Sequence, residues 1–108
     1  MSDFIITDNK LEKYNGTDTE VKIPDNVKTI EINAFSCSEN ITVPETITDI
    51  GFGAFSNCKS LQSITLSKNV MQISEMAFRG CENLTICCPK SSYAQKYAKK
   101  NGIPFTII

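Results

Sequence analysis

Apolar and polar positions along this chain recur in blocks. Four blocks begin at Val21, Ile41, Ile64 and Ile86, with starts 20, 23 and 22 residues apart. Each opens with two apolar residues flanking a variable one: Val21/Ile23, Ile41/Val43, Ile64/Leu66 and Ile86/Cys88. Alternation over three residues places both on one face of a short strand. Proline or serine then ends the strand, at Pro24, Pro44, Ser67 and Pro89. A second apolar pair follows at wider spacing, Val27/Ile30, Ile47/Ile50 and Val70/Ile73, and predicts another short extended segment. Next comes Ala-Phe, as Ala34-Phe35, Ala54-Phe55 and Ala77-Phe78, read as one helical turn. No block buries its apolar face alone, so each must lie on the next in a solenoid.

Features that look chemical in isolation become structural once the blocks are aligned. Gly51-x-Gly53 resembles a fragment of a phosphate loop, but the other blocks carry Glu31/Asn33 and Ser74/Met76 in its place. No long helix follows it, which a phosphate loop needs. Cys58 and Cys81 each stand three residues after their phenylalanine, in register, and are expected as small buried hydrophobes. The first block is three residues shorter. It places Cys37 two residues after Phe35, lacks the leucine that the others have at Leu61 and Leu84, and predicts a tighter or irregular back side.

The ends depart from the repeat as a solenoid's exposed faces require. "FIITDNKLEKYNG" reads as a hairpin turning at Asp8-Asn9, followed by an Asn15-Gly16 turn into the first block. After the last block, Ser91 or Ser92 is placed to cap a helix running to about Asn101. Tyr93/Tyr97 and Ala94/Ala98 share one face of it, expected to pack on the solenoid rather than to hold a ligand. Gly102 supplies the stop, and "IPFTII" returns as a strand.

"IGFGAFSNCKSLQSITLSKNV", Ile50 to Val70, resembles the repeat of the BspA-like (Treponema pallidum-type) leucine-rich repeats, whose pattern is I-G-x-x-A-F-x-x-C-x-x-L-x-x-I-x-L-P-x-x-V. The period lies in the leucine-rich-repeat range. The resemblance covers residues 21–89 and extends to both ends. It implies a curved solenoid that binds protein, often on secreted or cell-surface bacterial proteins and protozoan surfaces, in a family whose members are generally not enzymes. The fold expected is a short right-handed, β-rich α/β solenoid: one domain over 1–108, with a hairpin cap at 1–20, repeats at 21–89 and a helix-strand cap at 90–108.

Composition narrows the chemistry. The 108 residues include no histidine, which removes the commonest general base and most catalytic zinc sites. No catalytic residue, metal ligand or cofactor is assigned. Five cysteines, an odd number at wide spacing, argue for reduced thiols and hence a cytoplasmic setting. The start "MSDFIITDNK" shows no signal peptide. A secreted or cell-surface location is the alternative if the chain is part of a longer one. Residues 1–50 hold four lysines and ten acids, residues 51–108 seven bases and two acids. That gradient, without arginine-aromatic interleaving, is not a nucleic-acid face, and no membrane insertion is expected.

Adjacent strand residues face opposite ways, so Cys88 points inward and Cys87 outward, which keeps the pair from holding one metal. A redox-sensitive surface thiol at Cys87 is the other reading of that spot. The outward positions of the first ladder are Lys22, Thr42, Thr65 and Cys87, with Gln62 at the margin; these form the candidate protein-binding face. The partner is expected to be a protein, and the chain a monomer or weak oligomer.

Overall fold

The computed structural model describes residues 3–31, 34–35 and 38–108; Cys37 therefore lies outside the described residues. The chain winds as a β-solenoid, with two five-stranded sheets and one helix among the described residues. A hairpin of β1 (Phe4–Thr7) and β2 (Lys10–Tyr14) leads into β3 (Glu20–Lys22) and β4 (Thr29–Ile30), which make the first coil. β5 (Asn40–Thr42) and β6 (Asp49–Ile50) make the second, β7 (Ser63–Thr65) and β8 (Gln72–Ile73) the third. β9 (Thr85–Cys88) opens a fourth coil that α1 (Tyr93–Lys100) continues, and β10 (Phe105–Ile107) adds a last rung. One sheet runs β1-β2-β4-β6-β8 and the other β10-β9-β7-β5-β3.

Pairing follows the sequence repeat residue for residue. In the second sheet Val21, Ile41, Ile64, Ile86 and Phe105 lie side by side in parallel register. In the first sheet Leu11, Ile30, Ile50 and Ile73 do the same. The inner positions Val21, Ile41, Ile64 and Ile86 are buried, as are Ile23, Val43, Leu66 and Cys88 beside them and Val27, Ile47 and Val70 on the turn between sheets. Where Ser67 replaces the strand-ending proline, its Oγ accepts the Asn69 N–H at 3.1 Å, and a side-chain turn takes over from ring geometry.

The Ala-Phe segments of the second and third coils form successive turns and no helix, which corrects the expectation from sequence there. Alternate amides explain it. The N–H groups of Ala54, Ser56 and Cys58 bond three residues back, to Gly51, Gly53 and Phe55. Those of Phe55 and Asn57 instead reach the next coil, at Ala77 O (2.8 Å) and Arg79 O (2.6 Å). A helix would turn every amide inward along its own axis and leave the neighbouring coil unbonded.

Between the sheets, aromatic rings stack along the solenoid. Phe35, Phe55 and Phe78 lie at 5.3 Å centroid spacing, with interplanar angles of 18° and 5°. Tyr14 continues the column at 5.4 Å from Phe35, and Phe4 stands 4.8 Å beyond it. Tyr97 closes the other end edge-on, 6.1 Å from Phe78. In the short first coil, Ser38 stands three positions after Phe35 and is buried at 2 % exposure, while Leu61 and Leu84 are buried in the next two.

At the start, Asp8 and Asn9 both take positive φ (52° and 66°), the geometry that suits a two-residue hairpin turn. At the end, Ser92 caps α1, its Oγ accepting the Gln95 N–H at 3.2 Å, while Gln95 Oε1 accepts the Ser91 N–H at 2.6 Å. Lys99 and Lys100 occupy the last turn, where they complement the helix dipole. The tyrosines of α1 meet the chain where β8 ends: Tyr93 Oη accepts the Ile73 N–H at 3.4 Å, and Tyr97 Oη donates to Ser74 O at 3.0 Å. Burial, with the negative charge of nearby acidic groups, pushes the Tyr97 phenol up to about 12, so it remains a donor at neutral pH.

Candidate interaction face

The outer side of the second sheet is a consequence of the inner one. With Val21, Ile41, Ile64, Ile86 and Phe105 turned to the core, their neighbours on either side turn out. One outward column is Lys22, Thr42, Thr65, Cys87 and Thr106, and the other is Glu20, Asn40, Ser63 and Thr85. Four of the five sequence-chosen residues therefore stand on one line, and the fifth, Gln62, lies directly beside Ser63. Lys22 and Thr42 are exposed, whereas Thr65 and Cys87 are half-buried by their neighbours. Thr106 extends the column by a rung that the spacing of starts did not reveal. The helix in the fourth coil breaks the period, although the apolar alternation of Phe105-Thr106-Ile107 was there to be read.

The two columns differ in what their side chains already hold. Ser63 Oγ donates to Asn40 Oδ1 at 2.7 Å, and Gln62 Nε2 donates to Glu39 Oε1 at 3.0 Å. These bonds tie the second coil to the third. Thr42 and Thr65 hold no such side-chain bond among the described residues, so their hydroxyls face outward with hydrogen-bonding capacity to spare. Beside Gln62 an open polar groove of about 650 Å³ is lined by Glu39, Lys59, Ser60, Gln62, Asn83 and Thr85.

The thiols sort by environment. Cys58 and Cys88 are buried, while Cys81 and Cys87 are half-exposed; none of the four carries a disulfide. Cys81 thus departs from the fully buried column expected of the repeat cysteine. Burial raises the Cys88 thiol above its ordinary value. Maleimide labelling of the native protein should reach Cys87 and Cys81 first, with Cys58 and Cys88 reacting only on unfolding. Equal rates at Cys58 and Cys87 would contradict the inward placement of Cys58. Among the described residues no group of three or more His, Cys, Asp or Glu converges as a metal site, and no helix is long and apolar enough to cross a membrane.

A coiled stack of this period, with a strand ladder, a cysteine-bearing turn and an Ala-Phe column, defines a leucine-rich-repeat solenoid. The chain belongs to the BspA type leucine rich repeat region family, whose model matches residues 6–100 in six copies. Its fold is similar to the crystal structure of a leucine rich cell surface protein from Faecalibacterium prausnitzii, with a TM-score of 0.64 and 28% sequence identity. The similarity covers 77% of this chain and 27% of that one, so this chain corresponds to about a quarter of the surface protein's length. No curated protein matches the chain.

Proposed function

We propose that this protein is a non-catalytic module that binds another protein through the outer face of its second sheet. The observation that carries this reading is the column Lys22, Thr42, Thr65, Cys87 and Thr106. It runs over five in-register rungs and ends in side chains that can bond outward. Parallel rungs lie about 4.8 Å apart, so equivalent groups are offered at constant spacing, as solenoid binding surfaces require. Lys22 supplies charge at one end, and Gln62 borders the face beside the polar groove. The absence of histidine and the membership of a repeat family support a role without catalysis. A place at the cell surface fits the solved neighbour, which is described as a cell surface protein, and makes an adhesive module the second reading.

Capture of a partner with the intact chain, followed by the double variant Thr42→Arg/Thr65→Arg, tests the face. Binding should be abolished while the melting temperature falls only modestly, because Thr42 is exposed, where substitutions seldom cost more than about 0.5 kcal/mol, and the half-buried Thr65 lies on the outer face, away from the core. Unchanged affinity would transfer the site to the outer face of the first sheet or to the turns.

A further inference from the structure

The Ala-Phe turns of the second and third coils are locked in register. Phe55 and Phe78 stack at 5.3 Å, and the bonds from Phe55 N–H to Ala77 O and from Asn57 N–H to Arg79 O fix the backbones together. Three residues past each phenylalanine stands a cysteine. Cys58 Sγ donates to Phe35 O at 3.1 Å, and Cys81 Sγ donates to Phe55 O at 3.0 Å. That same Phe55 carbonyl accepts the Cys58 N–H at 3.2 Å. One oxygen therefore holds the Cys81 sulfur against the Cys58 residue. Neither cysteine lies in a strand, but the backbone bonds just before them join the two turns as strands are joined, a spacing of about 4.8 Å, which is inside the Cα separation of roughly 4.4–6.8 Å that a disulfide spans.

We propose that Cys58 and Cys81 are a disulfide-forming pair, oxidised by a small-molecule disulfide and joining the second and third coils on their turn side. The two cysteines have unequal parts. Cys81 is half-exposed and meets the oxidant, whereas Cys58 is buried at 1 % exposure and reacts only with its neighbour. The neighbouring Cys58 holds the Cys81 thiol below the ordinary cysteine value, against an opposing effect of burial; for this the Cys58 S–H turns from Phe35 O toward the Cys81 sulfur. Thiolate character is what attack on a disulfide needs.

The Cys81 thiolate attacks one sulfur of the oxidant, forms a mixed disulfide and expels the first thiolate. Cys58 gives its proton to that thiolate and attacks the Cys81 sulfur, expelling the second. In net terms two protein thiols lose two electrons and two protons, and one oxidant disulfide becomes two thiols. The S–H···O bonds to Phe35 and Phe55 are given up, while the backbone bonds between the coils need not change.

Oxidised glutathione added to the native protein, followed by intact mass and peptide mapping without reductant, tests the pair. The expected product has lost two hydrogens, carries no glutathione and yields one cross-link, Cys58 to Cys81. Its thermal midpoint should rise and return on reduction. Cys58→Ser and Cys81→Ser should each abolish the cross-link, with circular dichroism confirming that the variants fold, and Cys87→Ser should leave it intact. A lasting glutathione adduct at Cys81, a cross-link involving Cys37 or Cys87, or an unreactive protein would each overturn the proposal.

Discussion

Phe55→Ala should lower stability by about 3–5 kcal/mol, the range for truncating a buried aromatic. Phe55 is fully buried and has a ring on either side at 5.3 Å, so the substitution removes area and opens a gap in the stack at once. Typical domains have about 5–15 kcal/mol in all, so the loss should be plain in chemical denaturation. A loss below about 1 kcal/mol would mean that the column carries no such role. The backbone limits collapse into the gap, because the Phe55 N–H is itself bonded to Ala77 O.

Gly80→Ala is the second large effect, argued by contrast with Gly102→Ala. Both glycines have positive φ, 83° and 68°, a region that costs a side-chain-bearing residue about 1–2 kcal/mol. A methyl group on Gly102 meets nothing within 4 Å. On Gly80 it would lie 3.1 Å from Asn57 Cα and 3.3 Å from Asn57 N, in the coil behind, as well as 2.6 Å from that residue's side-chain oxygen. The backbone cannot swing aside, since Asn57 N–H is bonded to Arg79 O. Gly80→Ala should therefore cost about 2–3 kcal/mol, conformational strain plus overpacking, against about 1 kcal/mol at Gly102. Equal losses at the two sites would show that the close approach of the coils carries no energy.

The ladders were legible because their signal has a period that physics enforces. A one-residue slip would turn Ile41 or Ile64 out of the core, so the apolar alternation states the pairing register outright. The column of outward residues follows from the same alternation, and Lys22, Thr42, Thr65 and Cys87 needed only counting. What was not legible depends on contacts between coils. Ala54-Phe55 has the composition of a helical turn, and only the acceptors at Ala77 and Arg79 draw its amides away from one. Tyr14 belongs to the aromatic column, yet it stands three residues after Leu11, whereas Phe55 stands five after Ile50. That shortened spacing hid its equivalence. Cys81 shares the sequence position of Cys58 but not its burial, since depth along a stack is set by what lies beyond the residue.

The five-rung face has a pitch, and a pitch selects what can follow it. Neighbouring rungs are about 4.8 Å apart, whereas same-side residues of an extended strand recur every 6.6 Å or so. Such a strand laid along the solenoid axis falls out of step after a single rung. Successive turns of an α-helix recur every 5.4 Å or so, and over the four steps from Lys22 to Thr106 the mismatch accumulates to only about half a rung. The face thus works as a ruler whose graduations a helix can nearly keep and a strand cannot.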